Sequence, residues 1–166
     1  MSEYQLIQAT EADATSVHRL LALAGAGLAE SGFHNWNPPF SLDQVLAEIQ
    51  SRTVFLLLSE GEPVATYSLA LAAVRPYPQG FWPGDEKAAL YMNRLAVDPA
   101  QQGRGIGAWC LSAIRHYAEA QGAAAVRCDV LAINAGLRRF YERHGYALCG
   151  QRSHSGWDFA CYQLTC

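Results

Sequence analysis

The chain has 166 residues, 51% apolar and 16% charged, with a formal net charge of −3 at neutral pH. These values suit one folded domain over residues 1–166 and exclude both a disordered chain and a general nucleic-acid surface. No apolar run approaches the ~18 residues of a membrane span, and the first residues (MSEYQLIQATEADA) lack the basic start and apolar stretch of a signal peptide.

Taken in chain order, Tyr4 to Ala9 alternates like a strand and stops at Thr10, where T-E-A-D offers a capping box with Thr10 accepting from the Asp13 amide. The helix that follows carries Val17, Leu20, Leu21 and Ala24 and is expected to dissolve around Gly25 to Gly32. An aromatic loop holds Phe33, His34, Trp36 and Phe40, and a second capping box, Ser41 to Gln44, opens a helix with Leu42, Val45, Leu46 and Ile49 on one side. Thr53 to Ser59 and Val64 to Ala72 form a hairpin around the turn Glu60-Gly61-Glu62-Pro63. The Pro- and Gly-rich segment from Val74 to Lys87 is a long loop of the kind that is usually functional. A strand over 89–97 leads into a glycine-rich stretch. Next comes a helix with Ile106, Cys110, Ala113 and Tyr117 on one face, ending at Gly122. A strand over 126–131, a helix over 134–144 and two strands over 147–152 and 159–164 complete the chain, with His154 and Trp157 in the last loop. Arg138, Arg139 and Arg143 read as a solvated helix face. The five cysteines, Cys110, Cys128, Cys149, Cys161 and Cys166, show no C-x-x-C or zinc spacing. They are expected to be reduced, mostly buried thiols of a cytoplasmic protein, with no metal.

The glycines of QQGRGIG carry the chemistry. Gly103, Gly105 and Gly107 alternate around Arg104 at the start of a helix, where bare amides and the helix dipole favour an anion. A P-loop is excluded, because Ala108-Trp109 stand where it needs lysine and serine. A dinucleotide fingerprint matches Gly103, Gly105 and Ala108 with Asp129 further on, but Asp98 to Gln102 separate those glycines from the strand. A nicotinamide-dependent oxidoreductase is therefore a minor alternative.

The stretch from Leu95 through Val97, Pro99 and Gln102 to Gly107 resembles the pyrophosphate-binding pattern V-x-P…[QR]-x-x-G-x-[GA] of the GNAT superfamily of acyl-CoA-dependent N-acyltransferases. Asn134 to Tyr146 resembles the family's second element, N-x-x-x-x-x-x-Y-x-x-x-G-[FY]. The resemblance covers the whole chain in element order and is sharp over 95–108 and 134–146. It implies an α/β fold: a mixed, mostly antiparallel sheet of about seven strands with a splayed central parallel pair, and four helices on both faces. It also implies acetyl-CoA as cosubstrate, held by Leu95, Ala96, Val97, Gln102, Gly103, Arg104, Gly105, Ile106, Gly107, Ala108, Asn134 and Tyr141.

Attack of an amine on a thioester builds charge on oxygen and expels a thiolate. The backbone amide of Leu95 is the expected oxyanion donor, and Tyr141 the acid for the departing sulfur. Asn134 and Tyr141 are seven residues apart and share a helix face; Asn134 also suits a helix cap. Many relatives place a glutamate where this chain has Asn93, so the base is open among Asp85, Glu86, His34 and a water chain. His34, Trp36, Trp82, Asp85, Glu86 and Asn93 are the candidate contacts to a primary amine of a small molecule or peptide. Direct transfer in a ternary complex is favoured over a cysteine intermediate. A non-catalytic acyl-CoA sensor stays open, as does a homodimer.

Overall fold

The computed structural model describes residues 3–166. Among the described residues seven strands, β1 (Tyr4–Gln8), β2 (Thr53–Ser59), β3 (Glu62–Ala70), β4 (Ala89–Val97), β5 (Ala125–Leu131), β6 (Ala147–His154) and β7 (Trp157–Thr165), join in the order β1-β2-β3-β4-β5-β7-β6, accompanied by four α-helices. The chain packs as two compact units, one comprising the residues up to Leu69 with Asn93–Gly107, the other Ala70–Met92 with Ala108–Cys166.

In the first unit, β1 (Tyr4–Gln8), β2 (Thr53–Ser59) and β3 (Glu62–Ala70) form an antiparallel meander, with Gln8 opposite Phe55 and Thr53 opposite Leu69. Glu60 and Gly61 both have positive φ (52° and 81°), the two-residue turn whose twist matches the flanking strands. Helices α1 (Ala14–Glu30) and α2 (Leu42–Ser51) supply Val17, Leu20, Leu21, Ala24 and Val45 to one core with Val54, Leu56 and Ala96. Each such leucine contributes roughly 1.5–3 kcal/mol on burial. Ser41 and Gln44 cap α2 reciprocally, at 2.8 and 3.1 Å.

The second unit holds α3 (Ile106–Ala120) from Ala108 onward, β5 (Ala125–Leu131), α4 (Ala135–Arg143), β6 (Ala147–His154) and β7 (Trp157–Thr165). Strand β7 pairs antiparallel with both β5 and β6. Strand β4 (Ala89–Val97) pairs parallel to β5 from Ala89↔Ala125 to Tyr91↔Arg127. That ladder ends early, since β4 runs on to Val97 and β5 to Leu131. The expected α/β architecture with a central parallel pair is the observed one.

Several local expectations need correction. Helix α1 runs straight through Gly25 and Gly27 and stops at Gly32, whose φ is 89°. The glycines allow close packing instead: a Cβ on Gly25 would lie 2.9 Å from the Trp36 carbonyl oxygen, and one on Gly27 3.3 Å from Pro99 Cγ. At Thr10, by contrast, the expected capping box is present, with Asp13 Oδ2 accepting from the Thr10 backbone N–H at 2.8 Å, and it opens a short 3-10 turn, Glu11–Asp13, ahead of α1. The buried stripe of α3 is Ile106, Cys110, Leu111, Ile114 and Ala118, rotated from the expected one because Leu111 and Ile114 outweigh Ala113 and Tyr117 in apolar bulk. The final loop is only Ser155-Gly156 (φ 52° and 80°), which brings His154 and Trp157 into the strands as paired residues. Arg138 is not part of a solvated face, because it donates to the Tyr162 hydroxyl at 3.0 Å and the Ala132 carbonyl at 3.2 Å.

Candidate active site

The glycine stretch belongs to the first unit. A short 3-10 turn, Pro99–Gln101, is started by Asp98, whose carboxylate accepts from the Ala100 amide at 3.0 Å. The chain then passes Gly103 (φ 82°) and Gly105 (φ 78°) into α3 at Ile106. Left-handed backbone is open to glycine at no steric penalty, so two of the three glycines are required by conformation. A Cβ on either would meet no protein atom within 4 Å. The turn therefore presents bare backbone to open space, directly ahead of the first-turn amides of Ile106, Gly107 and Ala108. Ile106 is buried and anchors the helix start, while Gln102 and Arg104 are exposed. The Arg104 guanidinium donates to Gln101 Oε1 at 3.0 Å.

Strand β4 carries an irregularity just before Leu95. Arg94 has φ 53°, a left-handed residue inside a strand. Leu95 and Val97 are half-buried and Ala96 is buried in the core. Around Arg94 lies a polar cluster that the sequence did not disclose. Glu48 of α2 is 9% exposed, and its Oε2 accepts from Asn93 Nδ2 at 3.1 Å and lies 3.2 Å from Arg94 Nη1. Arg52 Nε donates to Ser68 Oγ at 3.2 Å, and that hydroxyl donates to the Asn93 carbonyl at 3.3 Å. The Arg94 guanidinium stacks on Phe40 at 3.8 Å, and Phe40 meets Trp36 edge-on at 5.6 Å. Burial lowers the pKa of both Arg52 and Arg94, and Glu48 opposes that shift in each. The sequence signal for Glu48 is its place three residues after buried Val45 and one before half-buried Ile49.

In the second unit, Asn134 is buried and caps α4, its Oδ1 accepting from the Leu137 amide at 3.1 Å. Tyr141 is buried, its hydroxyl 4.0 Å from Met92 Sδ and its ring edge-on to Tyr146. Burial first, then Cys128, Tyr146, Asp129 and Cys110, raise the Tyr141 pKa well above its usual 10, so the hydroxyl keeps its proton at neutral pH.

The candidate amine contacts divide between the units: His34, Trp36 and Asn93 in the first, Trp82, Asp85 and Glu86 in the second. His34 and Glu86 are exposed. Trp82 is only 2% exposed and packs with Tyr77, Phe81 and Tyr91. Asp85 accepts from the Gly80 amide at 2.9 Å and pairs with Arg127 at 3.5 Å. Arg127, itself 2% exposed, also donates to Gln163 at 2.8 Å, to the Tyr91 hydroxyl at 2.9 Å and to the carbonyls of Pro83 and Gly84. One guanidinium on β5 thus ties down the long loop that holds Trp82 and Asp85, a role that nothing in a lone arginine within an apolar strand announces.

Residues 26–146 match the family model described as the acetyltransferase (GNAT) family. This chain belongs to the GNAT acetyltransferases. It is similar to the uncharacterized N-acetyltransferase YesJ of Bacillus subtilis (strain 168), with 27% identity over 161 residues, 92% of this chain and 86% of that one. In fold it is similar to a GNAT acetyltransferase from Streptococcus agalactiae (TM-score 0.80, 17% identity, 98% and 95% of the two chains). It is also similar to YncA from Salmonella typhimurium, a putative acetyltransferase solved with its cofactor acetyl-CoA (TM-score 0.71, 19% identity, 98% and 93%). As a GNAT protein the chain is an acyltransferase. Among the described residues no helix is long and apolar enough to cross a membrane.

Proposed function

We propose that this GNAT enzyme transfers the acetyl group of acetyl-CoA to the primary amine of a small molecule or peptide, by direct attack in a ternary complex. The observation that carries the reading is the turn at Gly103 and Gly105, left-handed, free of side chains and opening α3. Such a turn fits a pyrophosphate, since the first-turn amides of a helix have no partner within it and carry the positive end of the helix dipole. Arg104 adds an exposed charge at the rim, and Gln102 flanks it. The backbone of Leu95, Ala96 and Val97 receives the amide-bearing pantetheine arm, and Asn134 bonds it while capping α4. Acetyl-CoA supplies the activated thioester.

The protein's own groups then have separable tasks. The Leu95 amide donates to the thioester oxygen as charge develops there, which a fixed dipole does without reorganising. Tyr141 donates to the sulfur. Its raised pKa makes outright proton loss unfavourable, so the hydroxyl acts chiefly as a hydrogen-bond donor to the forming thiolate, whose ordinary pKa is near ~8.5. The amine must arrive neutral. Asp85 is engaged with Arg127, which leaves the exposed His34 and Glu86, and solvent, to take the amine proton.

Calorimetry with acetyl-CoA and NADH, followed by an amine panel scored for released thiol, tests the reading. Acetyl-CoA binds, NADH does not, and at least one amine is acetylated. Binding of NADH without acetyl-CoA, or acetyl-CoA binding with no amine acylated at any pH, would overturn it.

A further inference from the structure

The left-handed residue in β4 is an arginine, which the backbone disfavours at that conformation. Isolated backbone strain of this kind persists where surrounding contacts over-determine it. Here the contacts are specific and lie on both sides of the strained bond. Ahead of it, the Asn93 carbonyl accepts from Ser68 Oγ at 3.3 Å, and Ser68 is fully buried. The Asn93 side chain is bonded to Glu48 at 3.1 Å. The Arg94 guanidinium is trapped between the same carboxylate at 3.2 Å and the face of Phe40 at 3.8 Å. All of these residues lie in the first unit. The peptide that follows carries the Leu95 N–H, and its orientation is set by the torsions of Arg94.

We propose that Arg94 is a positioning residue, held left-handed by a clamp of Glu48, Phe40 and Asn93 so that the Leu95 amide is aimed at the thioester oxygen. Asn93 then has a task other than proton transfer: it braces Glu48, the carboxylate that β4 itself lacks. The inference rests on the Leu95 role stated under the proposed function. It also separates two roles for an arginine near an acetyl-transfer site, since a side chain that grips substrate must be an arginine, whereas a side chain that holds a backbone angle is replaceable by glycine, which adopts that angle freely.

The test compares the wild type with Arg94→Ala, Arg94→Gly, Glu48→Gln and the Arg94→Gly/Glu48→Gln double variant. Two quantities are read: the infrared carbonyl stretch of bound carbonyl-labelled acetyl-CoA, and kcat with the best amine of the panel. Calorimetric affinity for acetyl-CoA checks that each variant is folded and competent. Binding to the wild type lowers the carbonyl frequency. Arg94→Ala loses that shift and about tenfold or more in kcat, one tenfold step being a small change in barrier. Arg94→Gly keeps the shift and most of kcat. Glu48→Gln alone is impaired, and in the Arg94→Gly background it adds no further loss.

Equal losses in the alanine and glycine variants overturn the inference and make the arginine side chain itself the functional group. No loss in either overturns it as well. A wild type that binds acetyl-CoA without any carbonyl shift removes the Leu95 role, and the inference falls with it. That failure is seen before any variant is made and so is distinct from a failure of the clamp alone. Should Arg94→Ala not fold, Glu48→Gln with and without Arg94→Gly decides the question.

Discussion

Tyr141 shows what a single residue reveals in sequence and what it hides. Its place seven residues after Asn134 was legible, because two helical turns bring both to one face. Its burial and raised pKa were not, because Met92, Cys128 and Tyr146 come from other elements. Tyr141→Phe is expected to lower kcat by roughly 10²–10³-fold with little change in acetyl-CoA affinity, the range for removing one fixed hydrogen-bond donor from a developing negative charge. A change confined to KM in steady-state kinetics would instead mark a packing residue. Asn93 was legible as a departure from the family pattern, but its partner was not. Glu48 lies 45 residues away on another element, and only the fold brings it to 3.1 Å. Arg127 escaped notice for the same reason, since its partners are a loop, a neighbouring strand residue and Gln163. Arg127→Met keeps the volume and removes the bonds. Breaking a buried charged network costs about 3 kcal/mol, to be read as a lowered denaturant midpoint, with faster proteolysis within residues 74–87.

At the scale of elements, local signals carried most of the fold. Both capping boxes, the Glu60-Gly61 turn and the order of strands and helices follow from short-range chemistry that packing did not override. Glycine was the ambiguous letter, because it marks both a chain reversal and a close approach. In α1 it is the second: at Gly25 the obstacle is the Trp36 backbone, which cannot step aside. Gly25→Ala gains about 1 kcal/mol in helix propensity and loses about 1–3 kcal/mol to overpacking, so a net loss is expected. Gly27→Ala meets only the edge of the Pro99 ring at 3.3 Å and should be close to neutral. Thermal melts of the two variants check this, and equal melting points would refute the close-approach reading. In the glycine turn the requirement is conformational. Gly105→Val strains the backbone by about 1–2 kcal/mol and should abolish acetyl-CoA binding while circular dichroism stays native. Undiminished binding would remove the turn from the proposed site.

At the scale of the whole molecule, the expectation of mostly buried thiols is met, with Cys110, Cys128 and Cys161 buried, Cys149 half-buried and Cys166 exposed. What composition does not convey is that these thiols and two tyrosines sit where an anion is poorly tolerated. Burial pushes Cys110 to about 12 and Cys161 to about 11, from 9.0. It also raises Cys128, Tyr141 and Tyr146. A group whose pKa is raised on folding keeps its proton in the folded state where the unfolded chain has already released it. Its stabilising contribution is therefore complete below the unfolded pKa and is lost as pH rises towards the folded one. For the thiols that window opens near pH 9, and for the tyrosines near pH 10. Each group adds a slope of up to about 1.4 kcal/mol per pH unit. Urea midpoints measured from pH 8 to pH 10.5 should hold steady at first and then fall increasingly steeply above pH 9. Cys110→Ala removes one titrating group and should flatten the early part of the fall, although the variant starts less stable. A midpoint that stays level to pH 10.5 would show that these side chains reach water in the folded protein, and the buried environment assigned to Tyr141 would have to be abandoned.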